Sequence, residues 1–345
     1  MARQILNTLY VMTPHSYLHL ENDTLRVEIE REKKLQVPLH HLGGVVCLGN
    51  IMVSPALMHR CADEGISLVL LDGNGRFKAR LEGAVSGNIL LRQAQHRQAA
   101  NHTFALNVSR AMIAGKLRNA RQVLLRGARE AADENDAKTL TAAATALRAS
   151  VRNLPHTADL DSVRGIEGDA AKVYFSALNG VVRRDARSHF GMDGRTRRPP
   201  RDRINALLSF LYSMLMNDCR SALEAVGLDP QLGFLHAVRP GRAALALDLM
   251  EEFRAVVADR LALTLINRGQ VGSGDFVERE GGAVLLEGDA RRAVVIAYQE
   301  RKQEEITHPL LDAKLPIGLL PQIQARLLAR HIRGETEAYL PFLAR

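Results

Sequence analysis

Residues 24–29 alternate: Leu25, Val27 and Ile29 are apolar and polar residues stand between them, the period of a half-buried strand. A second apolar run lies in "LGGVVCLGN" (42–50), bounded by glycine turns. "ISLVLLDGNGRFKARLEG" (66–83) reads as a hairpin with Asp72-Gly73-Asn74-Gly75 at its tip. One short helix interrupts the strands, with Ser54 as its N-cap, Pro55 in its first turn and Gly65 as its stop. This pattern predicts a small β-sandwich-like domain over residues 1–85.

From about residue 88 the spacing becomes helical and β-branched residues thin out. The segment 128–150 is rich in alanine and other helix formers, and further helices are predicted near 166–189, 203–226, 243–266, 287–304 and 318–333. The fold class is therefore α+β, a small β domain followed by a larger all-α domain over 86–345, with the change of type near residues 80–90.

One helix breaks its own pattern. In "GRAALALDLMEEF" (241–253), Asp248 stands inside the apolar alternation of Leu245, Leu247 and Leu249, and Glu251 and Glu252 follow. A charge in an apolar run needs a partner, because an isolated buried charge is too costly to keep. Asp248 and Glu251 are three apart and share a helix face, with Glu252 about 100° further round. Glu167 lies between Gly165 and Gly168, ahead of an apolar helix, and His236 lies in a connection rich in Gly and Pro. A first-turn Glu also serves as a favourable charge at a helix N-terminus, and a loop His is often a capping residue. If the two helices pack together, one imidazole and two or three carboxylates converge, a hard donor set suited to Mg²⁺ or Mn²⁺.

Charge points to a polyanion. The chain of 345 residues carries a net charge of +8 and an isoelectric point near 9.7, and its basic residues are dominated by arginine. Five arginines fall between Arg195 and Arg203, broken by Pro199-Pro200, with Arg183, Arg184 and Arg187 upstream. The stretch reads as a phosphate-binding loop or as a solvated connector, with Arg118, Arg121 and Arg126 as the alternative phosphate contacts. No tryptophan and only 4% aromatic residues argue against binding by base stacking. Cys47, Cys61 and Cys219 are scattered without a zinc or disulfide spacing. With no signal-peptide layout and no apolar run of membrane length, a cytoplasmic protein is expected.

Together "RGIEGDAAKVYF", "RRPPRDRINALLSFLYSML", "LGFLHAVRPGRAALALDLMEEFR" and "LINRGQV" resemble the CRISPR-associated adaptation endonuclease/integrase family, Cas-one, over nearly the whole chain. "LALDLMEEF" is similar to the branch of type I, subtype C systems. Ala243-Ala244 and Ala255 depart from the family's common Pro-Ser and Pro.

The resemblance implies that Glu167, His236 and Glu251 bind a divalent metal, with Asp248 a supporting or second-metal acid facing the metal cluster. It implies a homodimer working with a Cas-two partner on double-stranded DNA. Short fragments would enter the CRISPR array by attack of a 3′-hydroxyl on a phosphodiester. Residues 1–85 would serve dimerisation and partner contacts, and Arg183, Arg184, Arg197, Arg198, Arg201 and Arg242 would hold DNA. A general metal-dependent nuclease and a non-catalytic nucleic-acid-binding protein are the rival readings.

Overall fold

Ser54 caps the first helix as its sequence requires: its hydroxyl accepts the Leu57 N–H at 3.2 Å, and α1 runs Pro55–Asp63 until Gly65 turns the chain at a φ of +68°. The computed structural model describes residues 8–72, 77–81, 83 and 89–344. The expected hairpin tip at 73–75 and part of the expected change of type, at 82 and 84–88, lie outside them.

Two units are present, Met1–Ser86 and Gly87–Arg345. In the first, β1 (Thr8–Val11), β2 (Tyr17–Glu21), β3 (Thr24–Ile29), β4 (Glu32–Pro38), β5 (Gly44–Leu48), β6 (Met52–Val53), β7 (Ser67–Leu71) and β8 (Phe77–Arg80) make two four-stranded sheets, ordered β1-β5-β7-β8 and β4-β3-β2-β6. β5 and β7 are parallel because α1 carries the chain back between them, whereas β7 and β8 pair antiparallel as a hairpin. Leu18, Leu25 and Val27 of one sheet pack with Val45, Cys47 and Leu68 of the other and with Leu57 and Cys61 of α1. Burial pushes the Cys47 thiol up to about 12 and the Cys61 thiol to about 11; these and Cys219 are free, buried thiols.

The second unit is mostly helical: α2 (Ile89–Ala100), α3 (His102–Glu130), α4 (Glu134–Asn153), α5 (Leu160–Ala177), α6 (Arg184–Phe190), α7 (Arg203–Ala225), α8 (Ala244–Met250), α9 (Arg260–Asn267), α10 (Gly288–Gln303) and α11 (Leu320–Ile332). Two antiparallel hairpins stand among them, β9 (Phe276–Arg279) with β10 (Ala283–Leu286) and β11 (Glu305–His308) with β12 (Ala313–Pro316). The expectation of an all-α second domain did not include them. Among the described residues no helix is long and apolar enough to cross a membrane.

Two helix boundaries depart from expectation at chemically important places. α5 begins at Leu160 because Asp159 caps it, accepting the Ser162 N–H at 2.8 Å, so Glu167 lies inside the helix and is no N-terminal charge. The expected helix 243–266 breaks after Met250. Glu251, Glu252 and Phe253 donate to carbonyls three residues back, and Arg254–Asp259 then form a π-turn before α9.

Candidate active site

The break after α8 sends its three acids in three directions. Asp248 is fully buried and faces the 234–236 backbone. Its Oδ2 accepts the N–H groups of Phe234 (2.7 Å) and Leu235 (3.0 Å), while Oδ1 accepts that of His236 (3.0 Å) and stands 2.6 Å from His236 Nδ1. Both oxygens are thereby used, and charge-assisted hydrogen bonds take the place of an opposite charge. The expectation that Asp248 faces a metal cluster is corrected: the acid faces amides and an imidazole. Gly233 makes the approach feasible, since a Cβ there would lie 2.7 Å from Asp248 Oδ2 and 2.8 Å from the Ala244 carbonyl carbon.

Asp248 also orients the imidazole. With Nδ1–H donated to the carboxylate, Nε2 is left as the outward nitrogen of a half-buried side chain. The loop is clamped from the other side by α5, where Arg164 Nε and Nη2 donate to the Leu235 carbonyl at 2.9 and 2.6 Å. Arg164 sits one turn before Glu167 on the same face. Leu235 packs with Ile113 and Leu117 of α3 and Val163 and Ala170 of α5.

Glu251 points the other way, into a cationic setting. Lys116 Nζ, from α3, pairs with Glu167 Oε1 and lies 2.8 Å from Glu251 Oε2; Arg254 Nη2 lies 2.9 Å from Glu251 Oε1. Burial of Glu251, 3% exposed, opposes ionisation, but the charges of Arg254, Lys116 and His236 outweigh it and hold the carboxyl down to about 2. Glu251 Oε2 is buried, and Lys116 Nζ is the cation it faces.

Glu252 goes to the C-terminal tail. Its Oε1 accepts Tyr339 O–H at 2.5 Å, and its Oε2 accepts Gln324 Nε2 at 3.0 Å and the Phe342 N–H at 2.7 Å. No cation is among these partners, and burial pushes the carboxyl up to about 8 against those hydrogen bonds. Asn119 Nδ2 donates to the Glu252 and Phe342 carbonyls, and its Oδ1 accepts the Ala344 N–H.

The Arg-rich connector is irregular, and its arginines divide. Arg195 is structural: it donates to Asn205 Oδ1 (2.7 Å) and Ser209 Oγ (3.0 Å) and stacks 5.3 Å from the Tyr212 ring centre. Arg254 lies 4.9 Å from the same ring, and Tyr212 and Tyr174 donate to buried Asp259 at 2.6 and 2.8 Å. This network ties the connector to Glu251. Arg203 donates to the carbonyls of Ser273 and His189. Arg197, Arg198 and Arg201 are exposed, with no side-chain partner among the described residues. Arg242 beside them has its pKa lowered by burial first and by the charges of Arg239, Arg198 and Arg197, with Asp248 opposing. Of the other arginines expected at DNA, Arg183 pairs with Asp185 and Arg184 with Asp133.

Among the described residues no three of His, Cys, Asp and Glu form a ready metal cage. The donors nevertheless fit a divalent ion: two carboxylates from different elements already share one cationic group, and an oriented imidazole whose charge acts on Glu251 adjoins them. Sequence reasoning missed Lys116, Arg164 and Arg254. Lys116 had a signal, as the one lysine among the five arginines of α3.

The family model described as CRISPR associated protein Cas1 matches residues 9–300. The CRISPR-associated endonuclease Cas1 1 of Moorella thermoacetica is 54% identical over 341 residues, spanning 99% of each chain. That of Chlorobaculum tepidum is 47% identical over 340 residues, again 99% of each. The fold is also that of a CAS1 protein from Thermotoga maritima, with a TM-score of 0.80 at 21% identity, covering 96% of this chain and 99% of that one. A casposase bound to integration product has a TM-score of 0.82 at 20% identity over 97% and 92% of the two chains.

Proposed function

The chain belongs to the CRISPR-associated Cas1 family, and we propose that it is a CRISPR-adaptation endonuclease and integrase whose chemistry rests on Glu167, His236 and Glu251. The observation that carries the assignment of residues is the sharing of Lys116 by Glu167 and Glu251, beside an imidazole oriented by Asp248. The two carboxylates and His236 Nε2 would hold Mg²⁺ or Mn²⁺. When bound, such an ion activates the attacking oxygen and stabilises the leaving one.

The chain's own groups do the rest. Asp248 fixes the imidazole, Arg254 keeps Glu251 ionised, and Lys116 puts a positive charge where a phosphate gathers negative charge. Arg197, Arg198, Arg201 and Arg242 hold backbone phosphates near His236, whereas Arg183 and Arg184 are engaged with acids of their own and contribute less. Double-stranded DNA, a Cas2 partner and a second copy of the chain are the partners this reading implies. The β unit would serve dimerisation and partner contacts. The wording of 245–253 supports the subtype C branch of type I.

The test incubates a 3′-hydroxyl duplex, this protein and its Cas2 with supercoiled array plasmid and Mn²⁺ or Mg²⁺. Joined strands are expected, and Glu167→Gln, His236→Ala and Glu251→Gln are each expected to fall to background while remaining folded by circular dichroism. Nicking without joining would make the chain a hydrolytic nuclease, and full activity of any variant would remove that residue from the site.

A further inference from the structure

Many arginines of the helical unit meet a carboxylate, among them Arg126, Arg164, Arg187 and Arg254. Four do not. Arg118 and Arg121 of α3 and Arg148 and Arg152 of α4 line an open cavity of about 600 Å³, together with Gln122, Val151 and Leu343 and Ala344 of the tail. No acid is among the lining residues, and none of the four guanidinium groups has an ion pair among the described residues. The Nε of Arg121 is buried without an acceptor.

Such an arrangement works against the fold. Arg118 and Arg121 are three apart and Arg148 and Arg152 four apart, spacings at which like charges destabilise their own helix. The wall facing them is fixed in place: the Ala344 N–H is held by Asn119 Oδ1 at 2.8 Å, and Asn119 in turn holds the Phe342 and Glu252 carbonyls. The cavity is therefore a built cationic recess with an apolar side and no acid among its described lining residues, and its size is that of a small-ligand site.

We infer that this recess binds a phosphate-bearing nucleotide unit, its phosphates on the four arginines and its sugar and base against Val151 and Leu343. Guanidinium groups recognise phosphate through paired hydrogen bonds, and an anion relieves their mutual repulsion. The unit is either a free nucleotide or the end of a single DNA strand, which share this chemistry. The recess is separate from the carboxylate site and needs no divalent metal, so its failure would leave the reading of Glu167 and Glu251 intact.

Isothermal calorimetry in chelator, on the full chain, would use adenosine triphosphate and a short 5′-phosphorylated oligodeoxythymidylate as probes. Both are expected to bind, and the tighter one identifies the source. In Arg118→Ala/Arg148→Ala/Arg152→Ala, three exposed positions whose loss leaves the core untouched, affinity is expected to fall at least about tenfold. The slope of log affinity against log salt for the oligonucleotide is expected to drop by about 0.7 per lost contact. Lys138→Ala/Lys172→Ala, which removes two exposed cations outside the recess, is the control and is expected to bind both probes as the parent does. No binding of either probe, an unchanged affinity in the triple variant, or an equal loss in the control would overturn the proposal.

Discussion

Glu251 and Glu252 are neighbours in the chain and opposites in chemistry: Arg254 and Lys116 help hold Glu251 down to about 2, whereas burial among neutral partners raises Glu252 to about 8. The turn after α8 places one among cations and the other against the tail, so adjacent carboxyls of one type differ in charge at neutral pH.

That difference predicts a pH dependence of stability. Between its ordinary 4.5 and about 8, folded Glu252 keeps a proton that the unfolded chain releases, so its contribution is full below 4.5 and is lost as pH rises through about 8. The slope is at most about 1.4 kcal/mol per pH unit for one proton. Glu251 is flat in this window, because its contribution is lost only as pH falls from 4.5 toward about 2. Urea unfolding of Glu252→Gln is expected to show a shallower decline across the window than the parent. Parallel profiles would mean that Glu252 does not hold the proton. Tyr339, Gln324, the Phe342 amide and nearby Cys219 are the groups facing it.

Lys116→Met removes the cation shared by Glu167 and Glu251. Without divalent metal the variant is expected to lose about 3–5 kcal/mol, the effect of breaking a buried pair. Mn²⁺ at about a hundredfold its Kd is expected to restore about 2.7 kcal/mol by binding the freed carboxylates. Thermal unfolding with and without Mn²⁺ reads both effects. A variant Tm indifferent to Mn²⁺ would show that these acids do not hold the ion.

Asp248→Asn keeps the shape and loses half the acceptors. One carboxamide oxygen cannot serve three amides and an imidazole, and its NH₂ would face donors. His236 loses its orientation, so Mn²⁺ affinity is expected to fall about 10–100-fold. Calorimetric titration with Mn²⁺ decides it; parent-like affinity in a folded variant would deny Asp248 its positioning role.

Replacing Arg197, Arg198 and Arg201 together by Ala is expected to weaken duplex DNA binding and lower its salt slope by about 0.9 per lost phosphate contact. Arg195→Ala behaves otherwise: it removes the stack on Tyr212 and the bonds to Asn205 and Ser209, and its expected signature is a lower Tm. Binding isotherms at several salt concentrations, with melting curves of both proteins, separate the roles. An unchanged slope in the triple variant would leave this stretch a connector.

Local signals were legible where local physics decides. Ser54, Pro55 and Gly65 bound α1 as their types demand, and the alternation at 24–29 became β3. The same reasoning showed that Asp248 needs a partner and misjudged which, because the partners lie in an irregular loop twelve to fourteen residues away. Glu167 was read as a first-turn charge of a helix starting near 166, yet Asp159 caps the helix earlier and Gly165 and Gly168 ride through it with open space beside them. In sequence Arg254 looks like an ordinary solvated cation, and Lys116 stands out only as the lone lysine among the arginines of α3. Their role depends on α3 packing against α5 and on the turn after Met250, neither of which a period of 3.6 reveals.

The hold of Asp248 on three main-chain amides bears on how this loop tolerates change over generations. Those bonds read no side chain, so replacements at 234 or 235 are judged by packing alone while the imidazole keeps its aim. Gly233 has no such freedom, since any larger residue would push the backbone off the carboxylate. A library diversified around the loop should leave that glycine alone, as drift would have to.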